Sequence, residues 1–229
     1  MKKGIFITGV GTDVGKTYAS ALLVKKLRKI GIYTGYFKPV LSGAMVNTQE
    51  SKVVLGDVDY VCKTAGIKED VHMLNSYYFT QAVSPHLAAE MNNQIIKIES
   101  IMNDFKKLSA VYDFIVVEGC GGLFCPICTE FGHELMLTDI MKGLDLSALL
   151  VTNSDVGTLH STVLTAMYAQ KKQIDLKGII MNNCDVDNIV HMDNWKQIEF
   201  FTKLSVLGSI ARNGNEIHIF DEYLEYLWQ

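Results

Sequence analysis

Proline is scarce in this chain: its 229 residues hold only Pro39, Pro85 and Pro126. Proline interrupts helices and central strands, so its rarity suits a body built mostly of regular elements. A basic excess is also missing. Lysines and arginines number 21 against 25 acidic residues, a net charge of −4, which leaves no general field for holding nucleic acid. No stretch approaches the ~18 uninterrupted apolar residues of a membrane span. The start, Met1 to Gly9, is basic and then apolar, but the apolar run is too short for a secretory leader, so a cytoplasmic location is expected. Regular cysteine spacing is absent. Cys62, Cys120, Cys125, Cys128 and Cys184 are odd in number, as free thiols in a reducing compartment would be. Cys125-Pro-Ile-Cys128 has no second ligand pair for zinc and lies in an irregular run rather than at a helix start, so packing is its expected role. Repeats, low-complexity tracts and linkers are lacking too.

What is present is ordinary globular composition, 48% hydrophobic and 20% charged. Apolar runs at Gly4 to Thr8, Tyr33 to Lys38, Asp113 to Glu118, Leu146 to Thr152 and Leu176 to Met181 predict strands, with a weaker one at Val206 to Ile210. Several are apolar on both faces, as in the middle of a parallel sheet. Helical spacing lies between them at Lys16 to Ile30, Val53 to Ala65, from Ser84-Pro85 onward, Ile95 to Leu108 and Gly157 to Gln170, with a short helix at Phe220 to Leu227. Alternation of this kind means βαβ units, a parallel sheet covered on both sides, and ligands beyond the carboxyl ends of the strands.

After the first strand comes Gly9-Val-Gly-Thr-Asp-Val-Gly-Lys-Thr17 and then a helix. Glycines let backbone N–H groups curl around phosphate oxygens, and the helix N-terminus adds a positive end. Lys16 suits the β- and γ-phosphates, and the Thr17 hydroxyl suits Mg²⁺. Five residues rather than four separate Gly9 from Gly15. Glu118, at the end of a buried strand, is a candidate metal ligand, with Asp57 and Asp59 as further candidates. Gly119-Cys120-Gly121-Gly122 follows, a run that lets backbone approach a ligand closely. His86, His133, His160 and His191 show no paired metal spacing, so packing or helix-end roles are expected of them.

Taken together, these motifs resemble the dethiobiotin synthetases of biotin biosynthesis. The long-spaced loop with its Val14-Gly-Lys-Thr17 ending, Lys38-Pro-Val-Leu-Ser-Gly43, Ser84-Pro-His86, Val117-Glu-Gly-Cys-Gly-Gly122, Gly157-Thr158 and Asn182 stand in the family's order across residues 4 to about 210. Val10 and Gly11, Cys120 and Ala211 depart from its usual residues. The resemblance implies an α/β, single-domain P-loop NTPase-like fold over residues 1–229, with a mainly parallel sheet and helices on both faces.

It further implies a cyclo-ligase that takes 7,8-diaminononanoate, CO₂ and ATP with Mg²⁺, phosphorylates a carbamate and closes a ureido ring. Carried onto this sequence, the catalytic residues are Lys38, Lys16 and Thr12. ATP contacts fall to Thr12, Asp13, Val14, Gly15, Lys16, Thr17, Asp57, Glu118, Gly119, Cys120, Gly121, Asn182 and the Ala211, Arg212, Asn213 stretch. Substrate contacts fall to Thr12, Lys38, Ser42, Gly157 and Thr158, and Mg²⁺ to Thr17, Asp57 and Glu118, with Asp57 preferred to Asp59. The family pattern also implies a homodimer with the substrate site at its interface. Pro39 is expected to end its strand at Lys38, and residues 43–55 to form a loop over the site. A partitioning or cluster-assembly ATPase switch is the alternative, but Gly9-Val-Gly-Thr12 lacks the lysine that such loops carry.

Overall fold

The structure, a computed structural model, describes residues 4–47, 52–130, 132, 134–224 and 227. His133 lies outside them. The elements run β1 (Gly4–Gly9), α1 (Lys16–Lys29), β2 (Thr34–Ser42), β3 (Met45–Asn47), β4 (Lys52–Val54), α2 (Gly56–Ala65), β5 (Asn75–Phe79), α3 (Pro85–Met91), α4 (Ile98–Ser109), β6 (Phe114–Glu118), β7 (Pro126–Cys128), β8 (Leu135–Met136), α5 (Leu137–Gly143), β9 (Ala148–Asn153), α6 (Thr158–Lys171), β10 (Leu176–Asn182), α7 (Ile189–Thr202), β11 (Val206–Ser209), β12 (His218–Ile219) and α8 (Asp221–Leu224). Among the described residues no helix is long and apolar enough to cross a membrane.

Eight strands form one sheet in the order β12-β11-β10-β9-β1-β6-β2-β5. Only β12 runs antiparallel; the other neighbours are parallel. Every residue of β1 and β6 is buried. Successive side chains point to opposite faces, so burial of both sets means both faces are covered. In α1, Leu23 and Leu27 stand one turn apart and are fully buried, while Lys25, Lys29 and Ile30 face solvent. Pro85 opens α3 in the one turn where its missing N–H costs nothing.

Four expectations are corrected. Pro39 does not end its strand, because β2 continues to Ser42. Phe37 opposite Val117 is the last pair that β2 makes with β6, and from Lys38 onward β2 pairs with β5 instead. Pro39 therefore sits where β6 no longer runs beside it, and its absent N–H breaks no bond on that side. The expected helix over 53–65 begins only at Gly56, since Val53 and Val54 belong to β4, which pairs antiparallel with β3. The 43–55 segment is thus a hairpin rather than a plain loop, with residues 48–51 outside the described residues. The cysteine run is likewise not irregular, because β7 pairs with β8.

Other elements had no clear sequence signal. β5 is a short edge strand that reads Asn-Ser-Tyr-Tyr-Phe. α7 buries only His191 and Ile198, so it lacks a continuous apolar stripe. Asn188 fixes its start by accepting hydrogen bonds from the Val190 and His191 N–H groups, at 2.9 and 3.4 Å.

Leu27→Ala should leave a cavity beneath α1 and cost about 3 kcal/mol. Urea unfolding should show a lower midpoint at unchanged slope. A midpoint equal to that of the native chain would contradict the packing of α1.

Candidate active site

The carboxyl ends of β1, β2 and β6 converge on one open cavity of about 1100 Å³. Thr12, Asp13, Gly15, Lys16 and Thr17 line one side of it; Lys38, Val40, Ser42, Asp57, Glu118, Cys120, Gly121 and Gly122 line much of the rest. The β2–β6 register sets the centre. Phe37 lies opposite Val117, so the next residues, Lys38 and Glu118, emerge side by side.

Glu118 is fully buried. Its Oε1 accepts hydrogen bonds from the Thr17 hydroxyl and from the Lys38 ammonium, both at 2.7 Å. Its Oε2 accepts from the Tyr36 hydroxyl at 2.8 Å. Lys38 also reaches Asp57 Oδ2 at 2.8 Å and the Gly119 carbonyl at 3.2 Å. A buried carboxylate persists only when paired in this way. Asp57, in the first turn of α2, meets Lys38, whereas Asp59 does not line the cavity.

Protonation follows from these contacts. Burial alone would pull the Lys38 amine down, but Glu118 and Asp57 outweigh it and hold the ammonium above the ordinary lysine value. Burial would raise the Asp57 carboxyl, and the Lys38 charge and its hydrogen bond instead hold it below the carboxylate range. Burial lowers the Lys16 amine, and the neighbouring Lys38 charge adds to that. Burial and then Glu118 push the Tyr36 hydroxyl well up, so it stays a donor.

The loop itself is shaped for an anion. Gly15 takes φ 92° ahead of α1, and no side chain caps the helix, so the first N–H groups point outward unpaired. Lys16 is buried and donates to the Gly11 carbonyl at 2.8 Å. The glycine run after β6 lies against this loop: a Cβ on Gly122 would stand 3.3 Å from the Gly11 Cα. Ser42 has a buried hydroxyl with no hydrogen-bond partner among the described residues, and it too lines the cavity.

Val14, Asn182, the Gly157-Thr158 pair and the Ala211-Arg212-Asn213 stretch do not line this cavity. Val14 is buried beneath the loop. Asn182 stands against the phosphate loop. Its Nδ2 donates to the Val14 carbonyl at 3.1 Å, and its buried Oδ1 has no partner. Thr158 is buried, with its hydroxyl on the Asn153 carbonyl at 2.7 Å and on Thr152 at 2.6 Å. Arg212 reaches Asp155, two residues before Gly157, at 3.7 Å. Asp155 is also met at 3.2 Å by the buried His191, which lies in the first turn of α7.

Sequence reasoning missed Tyr36, although the signal was there: residues two apart on a strand share a face, so Tyr36, Lys38, Val40 and Ser42 all point the same way. It also missed Tyr18 and Tyr60, whose rings lie 6.2 Å apart at the cavity edge, and Phe124 on the opposite wall.

A glycine loop feeding a helix N-terminus, a lysine and threonine behind it, and a buried carboxylate on the strand beside β1 together define a P-loop nucleotide-binding protein. The family model described as an AAA domain matches residues 3–215. Two solved structures share the fold, the MinC:MinD cell division protein complex and the MinD cell division protein, both of Aquifex aeolicus. Their TM-scores are 0.54 and 0.52 at 15% and 16% identity; each covers 98% of this chain, against 85% and 86% of the other. At that identity the likeness concerns the fold alone. Curated relatives are much nearer. The ATP-dependent dethiobiotin synthetase BioD of Clostridium botulinum strain Loch Maree is 47% identical over 96% of this chain and 95% of its own. That of strain 657 is 43% identical over 99% and 98%. The chain belongs to the family of ATP-dependent dethiobiotin synthetases.

The ion pairs have a pH signature. Asp57 is held below its unfolded value, so it stabilises the fold above that value, about 3.9, and the contribution is lost as pH falls through the folded value. Between about pH 6 and pH 3, the native chain should therefore lose stability more steeply than Asp57→Asn. Denaturant titrations across that range check it, and equal slopes would contradict the Lys38–Asp57 contact.

Proposed function

We propose that this chain works as one catalytic domain over residues 1–229, cytoplasmic and homodimeric, and that it closes the ureido ring of dethiobiotin from 7,8-diaminononanoate, CO₂ and ATP. The observation that carries the residue assignment is Lys38. Its ammonium, held above the ordinary lysine value, meets both Glu118 and Asp57 on the wall of the cavity into which the phosphate loop opens.

One amine of the substrate adds to CO₂ and loses a proton, giving a carbamate. A carbamate oxygen attacks the γ-phosphorus of ATP and ADP leaves, giving a mixed carbamic–phosphoric anhydride. The second amine attacks the carbonyl carbon, phosphate departs, and the ring closes. The phosphoryl step brings two anions together, and fixed cations are what lower its barrier. Lys38 supplies one such cation without reorganisation, because its ammonium is already positioned. Lys16 supplies the other by exchanging the Gly11 carbonyl for phosphate oxygens. Thr12, at the tip of the loop, and the unpartnered hydroxyl of Ser42 are placed to hydrogen-bond the carbamate or the amines.

Thr17, Asp57 and Glu118 would hold Mg²⁺. Their hard oxygens suit that ion, and both carboxylates already converge on a positive charge, the Lys38 ammonium. When bound, Mg²⁺ would neutralise part of the phosphate charge. The adenine amino group is assigned to the unpartnered Oδ1 of Asn182, and further nucleotide contacts to Asp13, Val14, Gly15, Gly119, Cys120, Gly121 and the Ala211, Arg212, Asn213 stretch.

The substrate carboxylate is assigned to the N-terminus of α6 at Gly157-Thr158. That helix start does not line the cavity of its own chain, which a homodimer explains: each tail would reach the α6 of the other copy. An apolar outer face supports the pairing. Leu164 and Met167 of α6 and nearby Val156 are exposed, and Phe124 on the cavity wall packs edge-on against Tyr168 of the same helix.

Purified protein given 7,8-diaminononanoate, bicarbonate, Mg²⁺ and ATP should form ADP only when the diamine is present. ADP formation that ignores the diamine would favour the ATPase switch instead. Lys38→Ala should lower turnover by about a hundredfold or more while the chain still binds ATP. Unchanged turnover would remove Lys38 from the phosphoryl step.

A further inference from the structure

The proposed mechanism uses the backbone of Cys120 and leaves its thiol idle. That thiol has a neighbour. The Cys120 thiol lies beside that of Cys125, and Cys125 donates a hydrogen bond to the Pro126 carbonyl, 3.8 Å away. Gly121 turns the chain back at φ 61°, and a Cβ there would lie 3.3 Å from the Cys125 sulfur. Both cysteines line the same cavity as Lys16 and Lys38, so both are open to a small solute. Cys128 does not line it.

The geometry points to Cys120 and Cys125 as an oxidation site, where a peroxide converts the two thiols to a disulfide that distorts the turn after Glu118. The chemistry balances. One of the two sulfurs, as its thiolate, attacks one peroxide oxygen and breaks the O–O bond, giving a sulfenic acid and hydroxide. The other sulfur attacks that sulfenic sulfur, the S–O bond breaks, and a second hydroxide leaves. The protons of the two thiols turn both hydroxides to water, the sulfur pair loses two electrons, and the peroxide oxygens gain them.

Only four residues separate the two sulfurs along the chain, two of them glycine, so little chain entropy opposes closure.

Consequences for the site are direct. Cys120 follows Gly119, whose carbonyl accepts from Lys38, and Glu118, which holds Lys38 and Thr17. A bridge that draws Cys120 toward Cys125 shifts that backbone, and shifts of about 1 Å at a reacting centre cost about a hundredfold in rate. The loss of turnover rests on the synthetase reading, whereas formation of the bridge does not.

The test treats the full chain with equimolar hydrogen peroxide, without reductant, then blocks remaining thiols and maps the bridge by peptide mass spectrometry. A Cys120–Cys125 bridge is expected in the native chain and in Cys128→Ala, and none in Cys125→Ser. Turnover should fall about a hundredfold on oxidation and return with dithiothreitol; in Cys125→Ser the ratio of oxidised to untreated turnover should stay near one. A Cys125–Cys128 bridge, or oxidised cysteine without any bridge, would overturn the site. A Cys120–Cys125 bridge that leaves turnover intact would overturn its effect on the turn. A reduced chain that makes no dethiobiotin would count against the synthetase reading, and the mapped bridge would still stand.

Discussion

The structure depends on one buried charge. Glu118 sits at the end of a central strand, out of contact with water, and must find a partner for each oxygen. Three side chains from two other elements answer it: Tyr36 and Lys38 from β2, and Thr17 from α1. Each of the three is thereby held in place by a carboxylate that cannot retreat to solvent. The phosphate loop, the second strand and the acidic strand are locked to one another through that residue. A site that must bring anions together thus carries a preset cation, and its rigidity comes from the penalty for leaving Glu118 unpaired.

Much of this was legible from residues alone. The alternation of buried strands and helices, the loop that ends in Gly15-Lys16-Thr17, and Glu118 at its strand end all lay in local sequence. Asp57 was preferred to Asp59 on the family pattern; in the structure Asp57 meets Lys38 and lines the cavity, and Asp59 does not line it. The errors have physical causes. Pro39 looked like a strand terminator because the sequence does not show which neighbour runs alongside; β6 stops short, so proline costs nothing there. α7 escaped notice because a helix that buries two residues leaves almost no periodic trace. The edge strand β5 escaped because an edge tolerates asparagine and serine. The meeting of Cys120 with Cys125 was not legible either. It depends on the left-handed turn at Gly121, while the eye is drawn to the CxxC spacing of Cys125 and Cys128.

Two groups of residues at the carboxyl ends of the strands differ in how they are held. Around Lys38 the contacts are charged, short and buried. Around Thr158 and Asp155 they are hydroxyls, amides and charges: Thr152, Thr158 and His191 are buried, while Asp155 and Arg212 are exposed. The first group is built to resist rearrangement. The second sits beside an exposed apolar helix face.

The continuation of β2 past the end of β6 has a further consequence. Lys38, Val40 and Ser42 project from one face of the strand at intervals of about 6.6 Å. The cavity wall is therefore a graded ledge: an ammonium, then a hydrocarbon step, then a hydroxyl. Because the spacing is set by backbone and not by flexible side chains, a molecule lying along it meets the three chemistries in fixed order. Its direction is decided before any side chain moves.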